Sequence, residues 1–220
     1  MDPTTTLSQL ATGTAPPLKI LALLTLLSLL PAIVMTTTSF VRTVVVLSFL
    51  RQGIGTQQTP PTQVLMGLAI FMTVFTMSPI AARIQSEALA PYQAGTLGEA
   101  AALEAAASPL RTFMLRQTRQ ADLELFYEAT HAPQPQTPED VPLRIAIPAF
   151  VVSELTTAFQ MGVVLLLPFL VIDLAVASIL MAMGMVFVSP TTISLPLKLL
   201  LFVLADGWNL IVRSLLESFR

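Results

Sequence analysis

The sequence predicts an all-α, membrane-associated protein built from broken helical hairpins, and three observations support this fold class. Hydrophobic residues make up 54% of the 220 residues and charged residues only 11%, which leaves too few polar side chains to cover a soluble fold. The mean hydropathy is +0.77. The apolar residues fall in runs that approach the length of membrane-crossing helices, and prolines interrupt these runs.

Charge and motif content exclude several functional classes. The net charge is −2 and the eleven basic residues are scattered, which argues against nucleic-acid binding. The chain has no cysteine, and its single histidine, His131, lies in a proline- and glutamine-rich segment. We find no phosphate-binding glycine loop and no carboxylate cluster with metal-ligand spacing. The sequence therefore predicts no enzyme activity, no cofactor and no metal site.

The first part of the chain predicts a flexible N-terminus, residues 1–17, followed by an apolar helical hairpin, residues 18–82. The first arm is apolar at 18–35, with Pro31 inside, and again at 40–50, with Arg42 inside. Residues 51–63 contain two glycines and a Pro-Pro pair and predict a loop. Arg42 and Arg51 have no acidic neighbour, so the positive-inside rule places this loop in the cytoplasm.

Residues 83–142 predict a polar helical module on the opposite, extracytoplasmic side. Eight acidic residues and five arginines fall within 83–144. Thr96 and Glu99 have the spacing of a capping box that would open an alanine-rich helix. Ser108 and Pro109 would begin a second helix as N-cap and first-turn proline. Four prolines between 133 and 142 end the module.

Residues 143–220 predict a second apolar hairpin, with its turn in a gate loop near 184–190. Asp173 and Lys198 lie at equal distances from this turn, near Met185. Equal arm lengths would bring the two side chains level with each other, and a charge in an apolar segment needs a partner or water. We therefore expect a buried Asp173–Lys198 ion pair.

Three further charges, Arg42, Glu154 and Asp206, also lie in apolar segments. Intramembrane charges are costly, so each should face protein or a water-filled path. Two explanations stay open at this stage: a static lock between subunits, which we favour, and a place on a transport path.

The gate loop contains five candidate gating residues: Met181, Met183, Met185, Val186 and Phe187. The methionine spacing does not form one tight helical stripe, so one interpretation is flexible gap filling near a turn. The other is a ring, formed where several copies meet, whose deformable apolar side chains close a pore.

Several long motifs resemble one family. They are Arg51-Gln-Gly-Ile-Gly-Thr-Gln-Gln-Thr-Pro-Pro61, Asp140-Val-Pro-Leu-Arg144 with Pro148-Ala-Phe-Val-Val-Ser-Glu-Leu155, Pro168-Phe-Leu-Val-Ile-Asp173, and Pro196-Leu-Lys-Leu-Leu-Leu-Phe-Val-Leu-Ala-Asp-Gly-Trp208. Together they resemble the FliP/SctR family of type III export-gate proteins. The resemblance covers nearly all of 18–219, and the 55–58 and 115–123 segments favour a flagellar member.

The resemblance implies a core channel-forming subunit of the flagellar export gate, in the inner membrane at the flagellar basal body, that passes unfolded flagellar substrates. It implies a homo-oligomer, a pentamer, in one helical channel complex with FliQ and FliR. FlhA and FlhB of the export apparatus and the assembly factor FliO are further implied partners. Family members carry consecutive methionines in a gasket loop, whereas this chain has Val186 and Phe187 after Met185.

Two alternative functions compete with this one. One is an SctR-type subunit of a virulence injectisome, which shares the motifs. The other is an independent ion or solute transporter, which would need an intramembrane ligand cluster and internal repeats, and neither is visible in the sequence.

Overall fold

The computed structural model describes residues 16–56, 58–133, 135, 137–185 and 187–219, and within these residues the fold is all-α with no strand. Residues 1–15, which hold most of the predicted flexible N-terminus, lie outside the described part. The helices are α1 Pro16–Thr36, α2 Phe40–Ile54, α3 Thr62–Ile84, α4 Ala90–Gln93, α5 Glu99–Gln117, α6 Gln120–Thr130, α7 Leu143–Ala182, α8 Pro190–Leu204 and α9 Gly207–Glu217. A π-helical turn, Gln85–Leu89, joins α3 to α4, and a 3-10 turn, Pro138–Asp140, precedes α7.

The chain divides into two compact units, residues 1–36 and 37–220. Within the first unit, α1 runs through Pro31 without a break. Its described large apolar side chains are at least 40% exposed, so none of them belongs to a buried core. The hydroxyl groups of Thr25 and Thr36 donate to carbonyl oxygens one turn earlier, Leu21 and Ala32, at 2.8 and 2.9 Å, which satisfies them inside an apolar helix.

In the second unit, α7 is the central element and contributes to two apolar cores. The first core joins α2, α3, α7, α8 and α9. Its buried residues include Leu47, Leu50, Ala69, Ala158, Phe169, Phe202 and Leu215. The second core joins α3, α5, α6 and the first two turns of α7. Its buried residues include Met77, Phe113, Met114, Tyr127, Val141, Ile145 and Phe150. The polar segment therefore packs directly on α7.

Glycine allows α2 and α7 to approach closely. A Cβ at Gly162 of α7 would collide with the ring of Phe49 from α2. The Phe49 ring also stacks edge to face on Phe159, with ring centroids 5.1 Å apart. This contact fixes the register between the two helices.

Prolines do not break the helices as the sequence suggested. Pro79, Pro148, Pro168 and Pro196 all lie inside helices that continue past them. Each proline removes one backbone donor, but ending the helix at membrane depth would leave more backbone groups unpaired. The breaks fall instead at 37–39, 183–189 and 205–206.

The expected pair of helices at the start of the polar segment is wrong. One helix, α5, covers the region with Pro109 in its interior. The expected capping box is also wrong: Gly98 is the N-cap residue, and the Thr96 hydroxyl donates to the Pro91 carbonyl oxygen at 2.8 Å. The Thr96 side chain is therefore committed to the preceding turn.

Among the described residues, two helical segments are long and apolar enough to cross a membrane, Thr62–Gln93 and Leu143–Ala182. The number rises to four if each of two consecutive helix pairs is one span, and one such pair, α8 and α9, is bent by 63°. The 40 residues of α7 measure about 60 Å, twice the thickness of a hydrocarbon core of about 30 Å. Apart from Gln160, its exposed large side chains from Phe159 to Ile179 are apolar, and this stretch measures about 30 Å.

Candidate functional site

The gate loop is a tight turn between α7 and α8 that displays apolar side chains. Gly184 has φ 74°, and the Met185 and Gly184 amides donate to the carbonyl oxygens of Leu180 and Met181, both at 3.0 Å. This pattern ends α7 as a Schellman motif, which requires a left-handed residue, usually glycine, at this position.

The candidate gating side chains face outward in this chain. Met181 and Met183 are 69% and 65% exposed, Met185 is 37% exposed and Phe187 is fully exposed. Met181 lies in the last turn of α7 and the other three lie in the loop. Val186 lies outside the described residues. The end of α7 and the loop therefore carry large apolar side chains, of which Met181, Met183 and Phe187 are mostly exposed.

The structure places Asp173 and Lys198 in contact across the α7–α8 hairpin. The Lys198 Nζ atom lies 2.6 Å from Asp173 Oδ2, and the Ser194 hydroxyl donates to Asp173 Oδ1 at 2.6 Å. The Lys198 side chain is buried, whereas the Asp173 side chain is 32% exposed. A Cβ at Gly55 would lie 3.7 Å from Lys198 Nζ, so the ammonium also lies beside the C-terminal end of α2, where a positive charge is favoured.

A second ion pair joins Arg42 of α2 to Glu154 of α7. Arg42 Nε donates to Glu154 Oε2 at 2.9 Å, and Arg42 Nη2 donates to Glu154 Oε1. The two side chains are 2% and 0% exposed. Because two parallel donors meet two oxygens, this is the bidentate geometry that makes arginine–carboxylate pairs strong.

The remaining donors of Arg42 bind two other parts of the chain. Nη1 donates to the Ser218 carbonyl oxygen at 2.8 Å and to its hydroxyl at 3.0 Å. Nη2 also donates to Gln117 Oε1 at 3.0 Å. The Phe219 ring lies 4.1 Å from the guanidinium carbon, within cation–π range. Arg42 therefore ties α2 to α5, α7 and the C-terminal turn.

The positive-inside rule counts basic residues in loops. Arg42 is buried between helices, so of the two arginines only Arg51 supports a cytoplasmic position for the loop at 51–63. The Arg51 Nη1 atom donates to the Thr62 hydroxyl at 2.9 Å across the α2–α3 loop. Asp206 makes neither ion pair. It is exposed and adopts φ 48° as the N-cap residue of α9, at the bend that follows α8.

A third polar contact lies beside Glu154. The Ser153 hydroxyl donates to Asp122 Oδ2 at 2.6 Å and accepts from the Arg119 amide at 3.0 Å. Arg119 Nε also donates to Asp122 Oδ2 at 3.0 Å. The hydrogen bonds from Arg119 and from Ser153 hold the pKa of Asp122 below its ordinary value. Ser153 therefore binds α6, and the next residue of α7, Glu154, binds α2.

Sequence reasoning named Arg42 and Glu154 but did not pair them, and it missed Gln117, Ser218, Phe219, Ser153 and Asp122. An arginine and a glutamate in separate apolar segments could have predicted this pair, because each charge needs a partner when it is buried. No local pattern marks the two further hydrogen-bond partners of Arg42, Gln117 and Ser218, which lie 75 and 176 residues from it. Within the described residues, no group of three or more histidine, aspartate or glutamate side chains could hold a metal ion.

Comparison with known proteins identifies the family. The model of the FliP family matches residues 23–215. The chain belongs to the FliP family. Relatives named "Flagellar biosynthetic protein FliP" include one from Pectobacterium carotovorum, 53% identical and covering 90% of this chain and 77% of the relative. Another, from Bacillus subtilis, is 49% identical and covers 91% of both chains. A third, from Caulobacter vibrioides, is 50% identical and covers 92% of this chain and 76% of the relative.

Proposed function

We propose that this chain is a core channel-forming subunit of the flagellar type III protein export gate and passes unfolded flagellar substrates across the inner membrane. Membership of the FliP family carries the proposal, since the relatives bear the name of a flagellar biosynthetic protein. That name also favours the flagellar function over the injectisome alternative.

The distribution of exposed apolar side chains supports an assembly component. Large apolar side chains on α3, α7 and α8 are exposed. They include Phe71, Val74 and Phe75, then Val164, Leu167 and Leu174, then Leu200, Val203 and Leu204. Patches of this extent mark lipid or protein interfaces. Asp173 is 32% exposed within this surface, and a charge there favours a protein or water contact over lipid tails.

The proposed assembly is a homo-oligomer, a pentamer, that includes FliQ and FliR in the same channel. FlhA, FlhB and the assembly factor FliO would act with it in the export apparatus. We assign residues 18–82 and 143–220 to the two membrane-associated hairpins and residues 83–142 to a module on the extracytoplasmic side. The function requires no catalytic residue and no cofactor of this chain.

The gate loop supplies the seal in this proposal. Several copies would place Met181, Met183, Met185, Val186 and Phe187 around one axis. Methionine is flexible and polarisable, and an apolar constriction blocks ions by dewetting. Such a ring would close on itself at rest and yield to a passing polypeptide. Phe187 is stiffer than a methionine, because a phenylalanine side chain has two rotatable bonds and a rigid ring, whereas methionine has three rotatable bonds.

The seal can be tested in cells. Replacing Met185 and Phe187 with glycine should make cells that carry the assembled protein leaky to small ions, measured as sodium-dependent growth inhibition and loss of membrane potential. The matched control is Leu97→Gly, which changes a partly buried apolar residue in a different loop. A normal ion barrier in the loop variant, with the protein present at its usual level, would remove the gasket assignment.

The export function has its own test. A flagellated strain whose own FliP gene is deleted should regain motility when it expresses this chain from a gene with codons and a promoter suited to that strain. It should then also secrete hook and filament proteins. Purification in mild detergent should yield a large complex with FliQ and FliR. A chain that runs alone or as a small symmetric oligomer would instead support an independent transporter.

A further inference from the structure

Methionine side chains differ in exposure between the gate turn and the cores. Among the described methionines, Met181 and Met183 are the most exposed, at 69% and 65%, and Met185 in the same turn is 37% exposed. Met72 and Met114 are 6% and 1% exposed and lie in the first and second cores. Oxidation of a methionine requires that a reagent reach its sulfur atom. The three gate methionines, Met181, Met183 and Met185, are therefore more open to oxidation than the core methionines.

The backbone of the gate turn does not depend on these side chains. The Met185 and Gly184 amides donate to the carbonyl oxygens of Leu180 and Met181, both at 3.0 Å. None of the three gate methionines belongs to a buried core. The thioether of methionine is apolar, whereas the sulfoxide is polar. Oxidation would therefore leave the turn folded and change the polarity of the surface that it presents.

We propose that the three gate methionines form a redox-modification site, at which hydrogen peroxide oxidises the thioether to the sulfoxide. The methionine sulfur attacks one peroxide oxygen, and the sulfur–oxygen bond forms as the oxygen–oxygen bond breaks. The sulfur loses two electrons to the peroxide. The other oxygen leaves as hydroxide and takes the proton from the new hydroxyl group on sulfur, which yields the sulfoxide and water. Methionine sulfoxide reductases reverse this change.

The effect of oxidation rests on the proposed function, in which several copies place the gate methionines around one pore. Because an unfolded polypeptide has to pass between these side chains, a molecule as small as hydrogen peroxide also reaches them. An apolar constriction blocks ions because water leaves it, and a polar sulfoxide oxygen accepts hydrogen bonds that keep water in place. The oxidised gate would therefore pass small ions while no substrate is being exported.

Peptide mass spectrometry tests the modification itself. The full-length protein, with the partners that it retains in mild detergent, is treated with hydrogen peroxide, and sulfoxide formation is followed at each methionine over time. Met181 and Met183 should be oxidised about ten-fold faster than Met72, since their exposed fractions differ by about that factor. Oxidation of Met181 and Met183 no faster than that of Met72 would overturn the proposal. This measurement does not depend on ion conduction or export.

The effect on the seal is measured as loss of membrane potential in cells treated with hydrogen peroxide. The test variant combines Met181→Leu, Met183→Leu and Met185→Leu, because leucine has a similar volume and no sulfur. Cells that carry the wild-type protein should depolarise, whereas cells that carry this variant should keep their potential. The matched control is Met35→Leu, which removes a methionine outside the gate turn that is 40% exposed. It should depolarise like wild type.

Equal depolarisation of wild type and the leucine variant would show damage elsewhere in the cell and would overturn the proposed effect. A wild type that keeps its potential although its gate methionines are oxidised would overturn it as well. The variant with Met185→Gly and Phe187→Gly, measured without peroxide, separates this result from failure of the seal assignment. If the glycine variant leaks and the oxidised wild type does not, only the redox site is wrong. If neither leaks, the gasket assignment itself is wrong.

Discussion

The two ion pairs of α7 differ in how completely the protein encloses them. Arg42 and Glu154 are both almost fully buried, and Arg42 has further acceptors on Gln117 and Ser218. The pair of Asp173 and Lys198 is 32% exposed on its acidic side. One pair is closed within the chain, whereas the other leaves part of a carboxylate accessible.

This difference in burial indicates different roles for the two ion pairs. A fully enclosed pair has no group left for a partner, so its role is to hold α2, α5, α7 and the C-terminal turn together. A partly open pair in the middle of the α7–α8 hairpin can exchange contacts with a neighbouring subunit or with water. We therefore expect substitutions at the first pair to affect stability and substitutions at the second to affect export.

The largest effect is expected for Glu154→Leu. The substitution leaves the Arg42 guanidinium buried without its carboxylate, and breaking a buried pair costs about 3–5 kcal/mol. Chemical unfolding in detergent measures the change. The double variant Arg42→Met with Glu154→Leu should recover part of the loss, because no unpaired charge stays buried. A single variant that loses under 1 kcal/mol would contradict the structural role of this pair.

The next effect is expected for Gly162→Ala, which lies on α7 between the two pairs. The added methyl group would collide with the Phe49 ring, and overpacking a tight contact costs about 1–3 kcal/mol. The control is Gly67→Ala on α3, where a Cβ meets no atom within 4 Å. It should raise stability by up to about 1 kcal/mol through helix propensity. Equal effects of the two substitutions would show that the α2–α7 contact is looser than the structure indicates.

A smaller stability change, about 1–2 kcal/mol, is expected for Asp173→Asn and for Lys198→Gln, because the pair is partly exposed. Secretion of flagellar proteins should fall in both variants while the protein level stays normal. The exchanged double variant, Asp173→Lys with Lys198→Asp, should restore part of the secretion. Harmless single variants, or no recovery in the double variant, would remove the functional role of the pair.

The smallest effect is the pH dependence of the contact beside Glu154. Because the pKa of Asp122 is lowered by Arg119 and Ser153, its contribution to stability is complete above the ordinary aspartate pKa. It is lost as the pH falls through the lowered value. The difference in unfolding free energy between wild type and Asp122→Asn should therefore be constant near neutral pH and shrink below about pH 4. A constant difference down to pH 2 would show that the contact does not depend on ionised Asp122.

Sequence and structure agree on helix content and on the position of the gate turn, but less well on helix ends. Met-Gly-Met at 183–185 marks a helix end because glycine accepts φ 74°. Pro109 suggested a helix start and instead lies in the interior of α5. Proline at the first turn and proline inside a helix look alike in a sequence, because tertiary packing decides whether the helix continues.

Composition and local spacing were enough to predict the all-α class, the membrane association and the position of Asp173 opposite Lys198 in the hairpin. These follow from short-range geometry, since two helices joined by one tight turn share a register that can be counted from the turn. The pairing of Arg42 with Glu154, 112 residues apart, was decided only by the tertiary structure. It depends on which faces of α2 and α7 meet, and that choice is made by many packing contacts at once, such as Gly162 against Phe49.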